Sequence, residues 1–246
     1  MTVPYDTILF AALIITSAFA VFGLTGFGSS IVAVPFLAQF FPLHFVVPLM
    51  ALLEPCVALL FGTRNHRAVS RPEILRMLPF LLCGMAVGSI VLVTVSEQIL
   101  LFGLGGFVLA YVCWTLLSKP GEQLASAAWA APSGLVGGMF SAVFGTGGPV
   151  YVMYLARRLR DKDTLRATIA IAILLSGLVR LAIFSVSDLY HSEVLWLAAM
   201  LIPCALFGLY AGTLLYRRLP ARRVVHAVYV VLVVGGLNLI VRAAGM

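Results

Sequence analysis

The sequence predicts an all-α integral membrane protein made of two four-segment repeats, and three observations carry that prediction. Of its 246 residues, 62% are hydrophobic and 10% charged, against about 45–50% and about 25% in soluble domains. Apolar runs recur that are long enough to cross a bilayer, since a hydrocarbon core of about 30 Å takes about 20 helical residues. Two of these runs are broken by glycine clusters, and the halves that contain them resemble each other. The same composition excludes a disordered chain, a coiled coil and a disulfide scaffold. A single membrane-embedded domain is expected over 1–246, with one repeat over about 7–117 and the other over about 130–242.

The first segment, 7–41, is too long for one crossing. As an unbroken helix it would extend about 52 Å at 1.5 Å per residue. Its middle reads Gly23-Leu24-Thr25-Gly26-Phe27-Gly28-Ser29-Ser30, poor helix-forming sequence. The stretch before Phe22 holds Asp6 and no Lys or Arg; a secretory leader needs a positive start, so a first membrane segment is expected instead. Plain spans are expected over 45–62, 74–95, 99–117, 165–187, 194–216 and 224–241. Trp114, Trp129 and Trp196 fall near span ends, where aromatic side chains anchor helices at the interface. The second odd segment, 130–155, is interrupted by Gly145-Thr146-Gly147-Gly148-Pro149, a turn followed by a helix start, because proline is tolerated at the first helical position.

Phe27-Gly28-Ser29-Ser30 matches Phe144-Gly145-Thr146-Gly147, 117 residues later, and Pro79, Gly84 and Gly88 recur as Pro203, Gly208 and Gly212 at an offset of 124. Duplication explains both. Loop charge then reads orientation. Loop 63–73 carries Arg64, Arg67 and Arg71, whereas its counterpart 188–193 carries Asp188 and Glu193. Loop 38–44 has no Lys or Arg, whereas 156–166 has Arg157, Arg158, Arg160, Lys162 and Arg166; the loop at Glu97 is acidic, whereas its counterpart has Arg217, Arg218, Arg222 and Arg223. Under the positive-inside rule, equivalent loops face opposite sides. Inverted repeats follow if each interrupted segment is a re-entrant hairpin followed by three transmembrane helices, with both termini outside the cytoplasm. The alternative is a plain eight-span bundle in parallel repeats.

The net charge of +7 invites a nucleic-acid reading, but the basic residues sit in short clusters between apolar runs, so no nucleic acid is expected. Cys56, Cys83, Cys113 and Cys204 lie in apolar stretches without ligand spacing; buried, inert thiols are expected, with no metal and no cofactor. His44, His66, His191 and His226 are scattered, and no GxSxG or Walker-type motif occurs, so no catalytic residue is assigned and an enzyme is not expected.

Non-helical backbone at membrane depth survives only where protein or a cavity shelters it, so the two breaks are expected to line a site. Helix N-termini offer unpaired N–H groups and partial positive charge. Gly26, Phe27, Gly28, Ser29 and Ser30 at the first break, and Gly145, Thr146, Gly147 and Gly148 at the second, would form a donor-rich pocket suited to a tetrahedral anion. Charged residues inside spans are costly and mark function by default. Arg180 is the candidate that holds the anion through its fork of donors, with a structural ion pair or a snorkelling Arg as the bland alternative. Glu54, followed by Pro55, is the candidate for proton coupling. Glu73 reads as a residue of a helix start after Pro72. Gly84, Gly88, Gly208, Gly212, Gly134 and Gly138 read as close-packing positions.

The run 23–30 with Pro35 after it, paired with Phe144-Gly145-Thr146-Gly147-Gly148-Pro149, resembles the sulfite exporter TauE/SafE family of bacterial permeases across nearly the whole chain. Met153 stands where many members have a proline matching Pro35. The resemblance implies a multi-pass permease of the bacterial cytoplasmic membrane for sulfur-containing oxyanions such as sulfite or organosulfonates. The expected function is a secondary transporter, an exporter working by alternating access around the two breaks. Its partners would be a small anionic substrate and the lipid bilayer, with a homo-oligomer left open. The alternatives are a permease for another small anion, a membrane scaffold, or an intramembrane enzyme.

Overall fold

The computed structural model describes residues 5–63, 68–117, 126–187, 189–216 and 221–245, with backbone alone at 5, 60–63, 216 and 221–228. The described residues hold helices and their connections, with no strand. They form α1 (Tyr5–Thr25), α2 (Ser29–Leu37), α3 (Leu43–Thr63), α4 (Arg71–Thr94), α5 (Glu97–Leu117), α6 (Ala130–Phe144), α7 (Gly148–Leu155), α8 (Lys162–Val186), α9 (Ser192–Tyr216) and α10 (Ala221–Ala244), with a 3₁₀ turn (Ala127–Trp129) leading into α6. Six of the described helices are long and apolar enough to span a membrane. The outer surface of the bundle is apolar: Leu9, Leu75, Ile90, Phe207 and Val241 are all more than 60% exposed, a surface that fits hydrocarbon. Arg64, Arg67, His66, Asp188, Arg217 and Arg218 lie outside the described residues, and Arg222, Arg223 and His226 are placed by backbone only.

Both interrupted segments break where glycine was expected to break them. Gly26 and Gly28 have φ of 82° and 97°, and Gly145 has φ of 70°, conformations that cost an L-residue about 1–2 kcal/mol. Gly145 ends α6 by donating its N–H to Ser141 O. The Thr25 hydroxyl donates to the Val21 carbonyl at 2.8 Å and accepts from the Phe27 N–H at 3.3 Å, which ties the first turn down. After each break the chain turns back. Phe10, near the start of α1, stacks on Phe40, just past α2, with centroids 5.8 Å apart. In the second half the Tyr151 ring of α7 lies so close to Gly137 of α6 that a Cβ there would meet it at 2.3 Å.

The halves exchange partners. α1 packs on α9, and α6 packs on α4. A Cβ at Gly208 or Gly212 would lie 2.3 or 2.0 Å from the carbonyls of Thr16 or Ala20, and one at Gly23 would lie 2.6 Å from Leu209 O. On α4, a Cβ at Gly84 or Gly88 would meet Leu135 O at 2.0 Å or Met139 O at 2.6 Å, while Gly134 and Gly138 of α6 approach Met77 and Leu81 in return. These glycines are therefore packing positions, where bare backbone lets helices approach. α5 meets α10 at Gly105 and Gly236, and α3 meets α8 where Pro55 fills the space beside Gly177.

Among the described residues most arginines gather at the same end of the helices, Arg242 in the last turn of α10 excepted. At one end lie the Phe10–Phe40 stack, the Leu43 N–H donating to Glu97 at 3.3 Å, and Gln98 Nε2 donating to Ala243 O at 2.9 Å. At the other, Ser70 N–H donates to Thr168 Oγ1 at 3.0 Å, and Arg157 sits 5.8 Å from the centre of the Trp114 ring. Arg71, Arg76, Arg157, Arg158, Arg160 and Lys162 belong to this second end.

The expectation of buried thiols fails. Cys56, Cys83 and Cys113 are exposed and Cys204 is half-buried, all unbridged. In water an apolar thiol is driven inward, but a membrane helix can turn it toward lipid at no such cost.

Candidate functional site

The two breaks meet. A Cβ at Gly145 would lie 2.9 Å from Ser30 Oγ and 3.1 Å from Arg180 Nη1, and one at Gly148 would lie 3.5 Å from Phe27 Cβ. Between them is a cavity of about 10 Å³, room for about one water. Gly28, Ser30 and Ile31 line it from the first break and Gly145 to Pro149 from the second; Glu54, Tyr151, Ser176 and Arg180 complete the polar wall with Ser141. Gly26, Phe27 and Ser29 do not line it. Gly26 instead packs against the Arg166 side chain, whose Nη2 donates to Gly23 O at 3.3 Å near the C-terminus of α1, where a cation is favoured.

The structural ion pair that stood as the alternative for Arg180 is formed, and its partner is Glu54. Arg180 Nη2 donates to Glu54 Oε2 at 2.5 Å, and the two side chains are 1% and 3% exposed. The hydroxyls of Ser29 and Ser30 donate to the other carboxylate oxygen at 2.7 and 2.5 Å. The expected hydroxyl donors of the first break are thus engaged by a resident carboxylate.

Arg180 is not saturated by that contact. Its Nε and Nη1 are buried with no hydrogen-bond partner among the described residues, as is the Thr146 hydroxyl at the second break. A buried donor left unpaired costs about 1–3 kcal/mol, and most buried polar groups in folded proteins are paired. Unpartnered donors on two residues that line one cavity mark a place built for an acceptor. Tyr151 and Ser176 add a second polar layer. Ser176 Oγ donates to Ala172 O at 2.7 Å and lies 3.1 Å from the Tyr151 hydroxyl, which is thereby the donor between the two.

Glu73 proves more than a helix start. It is 4% exposed and accepts from Tyr154 Oη at 2.5 Å, from Arg158 Nη2 at 2.8 Å and Nε at 3.1 Å, and from Arg76 Nη1 at 2.9 Å. This cluster clamps the end of α7 to the start of α4. Its sequence signal was the Arg157-Arg158 pair after α7, which loop-charge reading absorbed as topology alone. Tyr151 and Ser176 had no such signal, because hydroxyls within apolar helices give no local sign of a partner. No group of three metal-ligating side chains occurs among the described residues.

Fold and site together define a multi-pass helical membrane protein whose polar centre lies buried between two broken helices. The chain belongs to the sulfite exporter TauE/SafE family, whose model matches residues 9–239. It is 31% identical over 198 residues to the probable inner membrane transporter protein TsaS of Comamonas testosteroni, which covers 78% of this chain and 81% of that one. No solved structure matches it. The protein is accordingly a multi-pass membrane transporter of the inner membrane.

Proposed function

We propose that the protein exports small sulfur-containing oxyanions, sulfite or an organosulfonate, as a secondary transporter in which the cavity between the breaks is the substrate site. The observation that carries this reading is the buried Arg180 guanidinium, whose Nε and Nη1, like the neighbouring Thr146 hydroxyl, have no hydrogen-bond partner among the described residues. A planar fork of donors fits an oxyanion, and the first turns of α2 and α7 add backbone N–H groups and dipole. The family's description as sulfite exporters supports the sulfur chemistry.

A cavity the size of one water is smaller than any sulfur oxyanion. Loading therefore requires the elements around the breaks to part. The exchanged packing of α1 on α9 and α6 on α4 supports two inverted repeats, with each hairpin returning to its own side. The basic end, with Arg157, Arg158 and Arg160, is then cytoplasmic, and the Glu73 cluster closes the site from that side. The test is flux in proteoliposomes holding only this chain. Sulfite and methanesulfonate should move and choline should not, and Arg180→Ala should abolish the movement. Equal flux of wild type and Arg180→Ala would overturn the reading.

A further inference from the structure

The two breaks are chemically unequal. At the first, the hydroxyls of Ser29 and Ser30 close on a built-in carboxylate, Glu54. At the second, the Thr146 hydroxyl has no partner among the described residues, and Arg180, which bridges the two, gives Glu54 one nitrogen and keeps Nε and Nη1 without a partner among them. We propose that Glu54 is a resident anion at the first break, that a monovalent oxyanion takes the second break on the remaining donors of Arg180, and that one proton binds Glu54 with it, making this an electroneutral anion–proton cotransporter. The inference rests on the reading of this cavity as the substrate site.

Charge counting carries the argument. Without cargo the site holds one guanidinium and one carboxylate, so it is neutral. A monoanion alone would leave it with one uncompensated negative charge at membrane depth, where isolated charge is strongly disfavoured. Two anionic groups crowding one cation share a proton in the same way that paired carboxylates do. The groups facing Glu54 are Ser29 and Ser30 from α2, Arg180 from α8 and the more distant Tyr151 from α7. Arginine stays protonated throughout, Tyr151 already donates to Ser176, and serine does not titrate. The carboxylate is the group left to take the proton. Protonated on Oε2, Glu54 releases Nη2 of Arg180 and donates to a substrate oxygen in its place. The loaded site is again neutral. A dianion would need a second acceptor for a second proton, and the cavity lining holds none, so sulfate is rejected by charge and not by size.

Methanesulfonate is the probe, because it stays fully ionised and its own protonation does not enter. In proteoliposomes of the full chain, its net flux should follow an imposed pH gradient with one proton per anion. It should not respond to a potassium–valinomycin potential at fixed pH on both sides. Because binding takes up one proton, affinity should fall by about tenfold for each unit rise in pH, and sulfate should not compete. In Glu54→Gln, binding should lose its pH dependence and its proton uptake, and net flux should become sensitive to potential. Flux by wild type that moves one charge per anion, or proton uptake that persists in Glu54→Gln, overturns the proposal. Should Glu54→Gln not fold, pH-independent affinity of the wild type overturns it equally. Failure of wild type to bind methanesulfonate at any pH overturns the substrate-site reading first, and this inference with it.

Discussion

Gly145 stands where a side chain would press on Arg180: a Cβ built there lies 3.1 Å from Nη1, on a backbone with φ of 70°. The same missing side chain ends α6 and admits the guanidinium to the second break. Gly145→Ala should therefore add about 1–2 kcal/mol of backbone strain and push Arg180 off the cavity. The expected outcome is anion flux reduced at least tenfold with the protein still inserted. Gly106→Ala, where nothing lies within 4 Å, is the matched control and should transport as wild type does.

The buried Glu54–Arg180 pair should be costly to break from one side only. Removing Arg180 leaves a carboxylate 3% exposed without its cation, a loss of about 3–5 kcal/mol. The double replacement Glu54→Gln with Arg180→Gln should cost less than the sum of the single ones. Thermal denaturation in detergent across the four proteins checks this. Strict additivity would mean that the two groups do not interact.

Close helix packing predicts a second pair of outcomes. A methyl group at Gly84 meets Leu135 O at 2.0 Å, and one at Gly212 meets Ala20 O at the same distance. Because the obstacle is backbone, the helices themselves must separate. Gly84→Ala and Gly212→Ala should each destabilise by about 1–3 kcal/mol, read as a lowered unfolding midpoint, while Gly103→Ala, whose nearest neighbour is 3.4 Å away at the tip of Phe144, should be mild.

The clamp on Glu73 should hold the basic end shut. Glu73→Gln keeps the shape but weakens the contacts with Arg158 and Arg76. A single cysteine at Ser141, in a background with the four native cysteines replaced, should then react faster with a small water-soluble thiol reagent applied from the cytoplasmic side. Unchanged labelling would make the cluster a passive contact.

Acid should weaken the start of α8. The hydroxyl and N–H of Thr164 both donate to Asp161, at 2.6 and 2.7 Å, and hold its carboxyl below the usual range, the hydroxyl contact being the larger cause. A carboxyl held low in the folded protein contributes stability above its unfolded value, and that contribution is lost as pH falls through its folded value. Asp161→Ala should thus lower the unfolding midpoint slightly at neutral pH and make no difference in strong acid.

Much of the architecture was legible because hydropathy, glycine and proline act locally. The length of an apolar run sets whether a helix can cross, and the clusters at 26–28 and 145–149 break a helix whatever lies beside them. Glu54 and Arg180 stood out for the same reason, as charges in runs that should have none. An ion pair was open as an alternative, but not which residue partners which, since the two are 126 residues apart and are brought together where Pro55 of α3 seats against Gly177 of α8. The serine hydroxyls at the first break look free in the chain and are engaged by Glu54 in the fold. The cysteines look buried in the chain and face outward in the fold. Amino-acid order determined that this is a membrane protein with two breaks and two embedded charges. Packing across helices decided which donors are satisfied and which remain open, because a hydrogen bond depends on ångström-scale approach between elements that no local pattern encodes.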